Sequence, residues 1–243
     1  MIILFTDYGV ADPYLGLMKL VIQEHSPGAM IVDLLHNAPD YSIRSSAHLL
    51  AALSSGFPIG SACVAVVDPG VGTERGAVVM LADEKWYIGP DNGLLSVVAG
   101  RAAKAELWRI DWRPEKLSSS FHGRDLFAPI AAMIERGAFP HSRLSDIPRL
   151  EVNLSCSDLA EVIYIDHYGN LMIGIIAAQV EHATQLRFSS CLIGFAPVFS
   201  AAKPGQPFWY ENSLGLVEIA LDCASAAQFL SAQIGDQFEI LPA

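Results

Sequence analysis

Up to about residue 140 short apolar runs alternate with stretches of helical periodicity; beyond it short strands broken by turns take over. The first rhythm is that of βαβ units, in which a strand covered on both faces reads as an unbroken apolar run and the crossover helix shows one apolar stripe. Ile2–Phe5, Ile31–Leu35 and Ala62–Val67 read as such strands. Tyr14–Glu24 and Ile43–Leu53 read as helices, the second with Ile43, Ala47, Leu50 and Ala51 on one face. Ala77–Leu81 and Trp86–Ile88 flank Ala82-Asp83-Glu84-Lys85 as a hairpin, and Ala128–Glu135 is a helix closed near Gly137. The second rhythm runs through Glu161–Ile165, Leu171–Ile176, Gln185–Phe188, Phe208–Tyr210, Leu216–Ala220 and Gln237–Leu241, with one helix at Ala224–Gln233. It predicts a small antiparallel barrel or sandwich. The expected fold is therefore α/β: a mostly parallel sheet flanked by helices over residues 1–145, then a smaller antiparallel β-barrel-like domain over 158–243. A tract rich in Pro, Ser and Arg, Phe139–Asn153, marks the boundary, with the linker itself expected at 146–157.

Composition narrows the partners. Apolar residues make up 52% of the 243 and charged residues 17%, which excludes a disordered chain. A mean hydropathy of +0.36 points to apolar surface covered by another subunit. The formal charge of −11 argues against a nucleic-acid partner, because a polyanion is gripped by basic patches. Cys63, Cys156, Cys191 and Cys223 are widely spaced with no CxxC pair, so reduced thiols in the cytoplasm are expected. The opening Met-Ile-Ile-Leu-Phe lacks a basic flank and reads as a core strand, not a signal peptide; no apolar run is long enough to cross a membrane.

Polar motifs fall where the predicted strands end, which is where open α/β sheets hold their ligands. Thr6-Asp7-Tyr8-Gly9 follows the first strand and Asp68-Pro69-Gly70-Val71-Gly72-Thr73-Glu74-Arg75-Gly76 the third. Gly89-Pro90-Asp91-Asn92-Gly93 ends another, and Phe121-His122-Gly123-Arg124-Asp125 opens a helix. Each alone is an ordinary turn or helix start. Asp7, Asp12, His36, His122 and Asp125 invite a metal reading, but the histidines lack ligand spacing, so no metal is expected. Gly70-Val71-Gly72 lacks the Gly-Lys-Ser/Thr ending of a phosphate loop, and no GxSxG elbow is present.

In combination the motifs are more specific. Phe5-Thr6-Asp7-Tyr8-Gly9, Asp33-Leu34-Leu35-His36, Val67-Asp68-Pro69-Gly70-Val71-Gly72, Gly89-Pro90-Asp91-Asn92-Gly93-Leu94, Phe121-His122-Gly123-Arg124-Asp125, Asp166-His167-Tyr168-Gly169-Asn170 and Asn212-Ser213-Leu214-Gly215 run in one order. That order resembles the adenosine-forming S-adenosyl-L-methionine hydrolases, or SAM hydroxide adenosyltransferases, relatives of the fluorinases and chlorinases. The resemblance extends to about Ala224. It implies an N-terminal α/β domain, a C-terminal barrel-like domain, and a homotrimer whose active sites lie between the N-terminal domain of one subunit and the C-terminal domain of its neighbour. It also implies a reaction with no cofactor, in which water or hydroxide displaces methionine from the ribose 5′ carbon.

By the same resemblance Asp68, Arg75 and His122 are the catalytic triad, and Gly123 takes the place of a fluoride-contacting Ser. Asp7 would accept both ribose hydroxyls, and Asp12 would pair with the methionine ammonium, with Tyr14 nearby. Tyr41 would face the sugar or base; Asp166 and Asn170 would contact the methionine and nucleoside ends; Ser213 would stand near the methionine carboxylate. Two departures stand out. Leu214 replaces an Arg of the fluorinases, and Asp222 replaces an Asn of the adenine-binding segment, leaving backbone groups around Cys223 for adenine. Two alternatives remain on the same scaffold: halide transfer, and a non-catalytic binder of adenosyl ligands.

Overall fold

A computed structural model describes residues 1–241, and the chain divides into two compact units, Met1–Cys156 and Ser157–Ala243. The first contains β1 (Ile2–Thr6), α1 (Tyr14–His25), β2 (Ile31–Leu35), α2 (Ile43–Ser54), β3 (Ala62–Val66), β4 (Ala77–Ala82), β5 (Lys85–Pro90), α3 (Ser96–Arg101), β6 (Ala105–Ile110), α4 (Ala128–Glu135) and β7 (Leu144–Asp146). These strands make one seven-stranded sheet in the order β2-β1-β3-β5-β4-β6-β7. The half from β2 to β5 is parallel; β4, β6 and β7 extend it antiparallel. The sheet is thus mixed, with its parallel half built from the continuous apolar runs. β4 and β5 form the expected hairpin, with Asp83 and Glu84 at φ +44° and +62°, the left-handed pair that a tight two-residue turn demands.

Leu15, Met18 and Ile22, spaced three and four apart, form the buried stripe of α1. Met18 and Ile22 pack with Ile130, Ala131 and Ile134 of α4 onto Ile2, Leu4, Val64 and Val66 of the sheet. Alternate strand residues therefore share this one core. Of the stretch 146–157, expected as a linker, residues 146–156 instead belong to the first unit. Ile147 N–H donates to Leu107 O (3.1 Å), Glu151 N–H to Asp91 Oδ2 (3.0 Å) and Leu154 N–H to Ser96 Oγ (3.1 Å), and Leu150 is buried. Its Pro- and Ser-rich composition reflects irregular backbone laid over a sheet, not a free tether.

The second unit contains β8 (Leu159–Ile165), β9 (Leu171–Ile176), β10 (Gln185–Phe188), β11 (Cys191–Phe195), β12 (Phe208–Glu211), β13 (Leu216–Ala220), α5 (Ala226–Leu230) and β14 (Glu239–Leu241), ordered β14-β10-β11-β12-β13-β9-β8. All neighbours are antiparallel except β11 and β12. An antiparallel bridge between Glu161 and Gln237, with Phe238 N–H donating to Ala160 O (2.8 Å), draws the two edges together, so the sheet curls in barrel fashion. Val162, Ile173, Ile193, Trp209 and Val217 fill it, and the Trp209 indole N–H donates to Thr184 O (3.0 Å). The helix expected over Ala224–Gln233 is shorter. Ser225 Oγ accepts from Gln228 N–H (3.1 Å) as its N-cap, and Ser231, at φ +53°, stops it.

Candidate active site

Strand direction positions the first polar cluster. β4 runs antiparallel to β5, with Ala77 opposite Pro90, so its first residues lie at the sheet edge where β1, β3 and β5 end. The loop from Asp68 to Gly76 leaves β3 and returns to β4 at that same edge, which brings its two ends together. Asn92 Nδ2 donates to Val67 O (2.9 Å) and fixes the approach to Asp68. Gly72, at φ +81°, has the backbone of Ser119 against it where a side chain would start, so only glycine fits this bend.

Arg75 Nε lies 3.0 Å from both Asp68 carboxylate oxygens, and Nη2 donates to Oδ2 in a second, short contact. Nη1 donates to Gly76 O (3.0 Å), and Nη2 lies 3.0 Å from His122 Nδ1. The Asp68 and Arg75 side chains are only 4% and 10% exposed, so this paired charge is shielded from bulk solvent. His122 stands at the head of a π-helical turn, Gly123–Phe127, that runs on into α4, and the guanidinium lies over the Phe127 ring at 5.6 Å. Guanidinium groups only donate, so Nδ1 of His122 accepts and its proton sits on Nε2. Burial, reinforced by the Arg75 charge, lowers the His122 pKa and keeps the ring neutral.

Asp7 follows β1 in a loop held by several bonds. Thr6 Oγ1 is 3.1 Å from His36 Nδ1, and Gly9 N–H donates to His36 O (2.6 Å). Asp7, Tyr8, Tyr41, Asp68, Ser120 and Gly123 line one cavity of about 80 Å³. Burial, with the carboxylates of Asp40 and Asp68 adding to it, raises the Asp7 pKa to about 6. Tyr41 is 79% exposed with φ +57°, an aromatic ring displayed on a costly backbone. Tyr14 packs edge-on against Phe121 at 5.4 Å, and exposed Asp12 lies beside Gly9. The residues of the metal reading are dispersed: His36 contacts Thr6 and Asp33, and Asp125 bonds Arg124 and the Ser118 N–H. Among the described residues no three His, Cys, Asp or Glu side chains converge on a metal position.

The second unit has its own cavity, of about 700 Å³, lined by Asp166, Tyr168, Asn170, Tyr210, Glu218 and Cys223 among others. Asp166 accepts from the N–H groups of Tyr168 (2.9 Å) and Asn170 (2.8 Å) and from Asn170 Nδ2 (3.0 Å). Glu218, 3% exposed, accepts from the Tyr210 hydroxyl and from Asn212 Nδ2 (2.8 Å). Asn212 Oδ1 in turn accepts from Leu214 and Leu216 N–H (2.9 and 3.0 Å), which shapes the turn that carries Ser213. Ser213 and Asp222 are exposed and stand outside the cavity lining, while Cys223, at φ +55° and 3.5 Å from Asp222 Oδ1, is part of it. The charged lining residues are all acidic, an environment suited to a cationic ligand. Tyr8, Tyr210 and Glu218 were not anticipated from sequence. Glu218 did leave a signal, as the single acid inside the apolar run Leu216–Ala220.

A two-unit chain with an Asp–Arg–His cluster at the strand ends of one unit and an acidic cavity in the other defines a narrow class. Residues 2–144 match the SAM hydroxide adenosyltransferase N-terminal domain, and residues 160–239 match the C-terminal domain. The chain belongs to the SAM hydroxide adenosyltransferase family. It is 35% identical to a protein from Salinispora arenicola named (R)-S-adenosyl-L-methionine hydrolase, over 97% of this chain and 95% of that one. A crystal structure of an uncharacterized conserved protein from Thermotoga maritima superposes with a TM-score of 0.89 at 32% identity, covering 99% of this chain and all of the other. A fluorinase from an Actinoplanes species is more distant, at 26% identity over 91% of each chain.

Proposed function

We propose that the protein hydrolyses S-adenosyl-L-methionine to adenosine and L-methionine by attack of water or hydroxide on the ribose 5′ carbon. The observation that carries this is the Asp68–Arg75–His122 chain, its ion pair shielded from solvent, with Asp68 lining a small cavity shared with Asp7, in a member of this family. A sulfonium leaves as a neutral thioether, so no acid is needed at the leaving group. What is needed is a better nucleophile than bulk water. A water oxygen bonds the 5′ carbon, the carbon–sulfur bond breaks with its electron pair passing to sulfur, and one water proton is released. Neutral His122 presents an N–H through Nε2 and so holds a hydroxide-like oxygen, while the Asp68 carboxylate is the acceptor for the departing proton. Arg75 ties the two together. Asp7 orients the ribose through its two carboxylate oxygens. No cofactor or metal enters this scheme.

Substrate recognition draws on the second unit. The cavity of about 80 Å³ in the first unit is too small for the whole substrate, whereas about 700 Å³ in the second is of ligand size. Asp166, Asn170, Tyr168 and backbone groups near Cys223 would take the methionine and nucleoside ends there, with Ser213, Asp222, Asp12, Tyr14 and Tyr41 completing the surround. We assign the assembly as a homotrimer, with each site shared between the first unit of one subunit and the second unit of its neighbour. Exposed Val10, Tyr14, Leu17, Leu20 and Tyr41 on the first unit, and Tyr168, Val198 and Phe199 on the second, support buried contact surfaces. The four unpaired cysteines support a reducing, cytoplasmic setting, and no nucleic-acid or membrane partner is required.

The test is incubation with S-adenosyl-L-methionine in ¹⁸O-labelled water, followed by chromatography and mass spectrometry. Equal yields of adenosine and methionine, with the label in the adenosine, are expected. Unchanged substrate, or a label found elsewhere, overturns the reading.

A further inference from the structure

One group in the small cavity has no work in the scheme above. Tyr8 follows Asp7, and its ring sits edge-on to Tyr14 and Phe121 at 6.0 and 5.8 Å. Its hydroxyl reaches over the backbone of residue 123: a Cβ built on Gly123 would collide with Tyr8 Oη and come within 3.3 Å of Met18 Sδ. The hydroxyl therefore occupies the volume that any side chain at 123 would claim. Gly123 has no positive φ, so its lack of a side chain answers to this close approach and not to backbone strain.

Tyr8, Gly123 and Asp68 line the same cavity. Among the described residues Tyr8 Oη has no hydrogen-bond partner, the one bond of this residue to a side chain being from its N–H to Thr6 Oγ1 (3.4 Å). A phenol hydroxyl turned into a confined cavity needs a partner. A cavity of about 80 Å³ has room for a few solvent molecules. Burial first, then the carboxylates of Asp7 and Asp68, raises the phenol pKa far above its ordinary value, so the proton stays on oxygen.

We infer that Tyr8 is a positioning residue for the nucleophile: its hydroxyl, seated over Gly123, donates a hydrogen bond to the attacking water next to Asp68. Tyr8 exchanges no proton; it fixes where the water oxygen stands. Gly123 is then the necessary counterpart, since a methyl group there would push the hydroxyl off its seat. This rests on the hydrolysis reading above.

The experiment compares wild-type protein with Tyr8→Phe, Gly123→Ala and the double variant, reading adenosine release and thermal denaturation. Tyr8→Phe is expected to lower kcat about tenfold with KM changed by less than about twofold, the signature of a lost hydrogen bond felt by the nucleophile and not by the bound substrate. Gly123→Ala is expected to lose at least as much, and the double variant to fall no further than Gly123→Ala alone, because both act through the same hydroxyl. An unchanged kcat in Tyr8→Phe, a loss confined to KM, or fully multiplicative losses in the double variant would each overturn the assignment. If wild-type protein releases no adenosine, the hydrolysis reading itself falls, and with it the water-positioning role. The Tyr8–Gly123 seat is still judged by melting temperature: a loss in Gly123→Ala that Tyr8→Phe repairs upholds it, and equal losses in both backgrounds remove it.

Discussion

The two polar sites treat buried acid in opposite ways. In the first unit Asp68 is met by a cation, and Arg75 reaches on to His122, so the charges interlock and leave little room around them. In the second unit Glu218 and Asp166 are held by neutral donors, a phenol, amides and backbone N–H groups, around a cavity roughly nine times larger by the ratio of about 700 to about 80 Å³. Paired charge in a tight space is rigid and suits a reacting centre. Acid without a counter-cation keeps its attraction for an incoming positive group, which suits recognition of a sulfonium and an ammonium.

Substitutions that erase one side of this contrast test it. Asp68→Ala or His122→Ala is expected to cost about 10²–10⁴-fold in kcat with KM little altered, measured by steady-state adenosine release. If either variant instead raises KM alone, the division between reacting and recognising halves is wrong. Asp166→Ala, on the other side, should raise KM by about 10–100-fold and touch kcat less, the loss of one charge-assisted contact. Glu218→Ala strands the Tyr210 hydroxyl and the Asn212 amide and should destabilise the second unit by about 2 kcal/mol in urea denaturation, with Glu218→Gln milder. An equal effect of both changes would mean that the carboxylate charge matters and not the bonds.

The smallest effect concerns Asp7. Its folded pKa is raised, so its contribution to stability is fullest below the ordinary carboxylate pKa and is lost as pH rises through about 6. Asp7→Asn removes that penalty. The melting temperature of the free protein should therefore rise slightly at pH 7–8, by the equivalent of about 1 kcal/mol once solvent screening is allowed for, and not at pH 4. Wild-type KM should increase as pH falls below about 6, where Asp7 takes up a proton. A pH-independent difference between Asp7→Asn and wild type would detach the effect from ionisation.

Much of this was legible in the chain itself. The parallel half of the first sheet was, because strands buried on both faces write themselves as β-branched runs such as Ala62–Val66. Ala105–Ile110 escaped notice because this strand mixes Glu106 and Arg109 with its apolar positions, and Cys191–Phe195 because its five residues carry no alternation. The 146–157 stretch misled because proline and serine mark irregular backbone without saying whether it is free or pinned. In the site, the order of motifs named Asp68, Arg75 and His122, but not how they meet. The roles of Tyr8 and Glu218 escaped for a different reason, although Glu218 showed as a lone acid in an apolar run: one works through a missing side chain at Gly123, the other through bonds to Tyr210 and Asn212 that spacing does not encode.

Arg75 reaches Asp68 because two strands of opposite sense deliver the ends of one loop to a common edge. The pair is thus assembled by the sheet during folding, long before any ligand arrives. Its dipoles and charges need not swing into place as the sulfonium loses its charge, so the reorganisation that bulk water would have to undergo at that moment has already been completed in the folded protein.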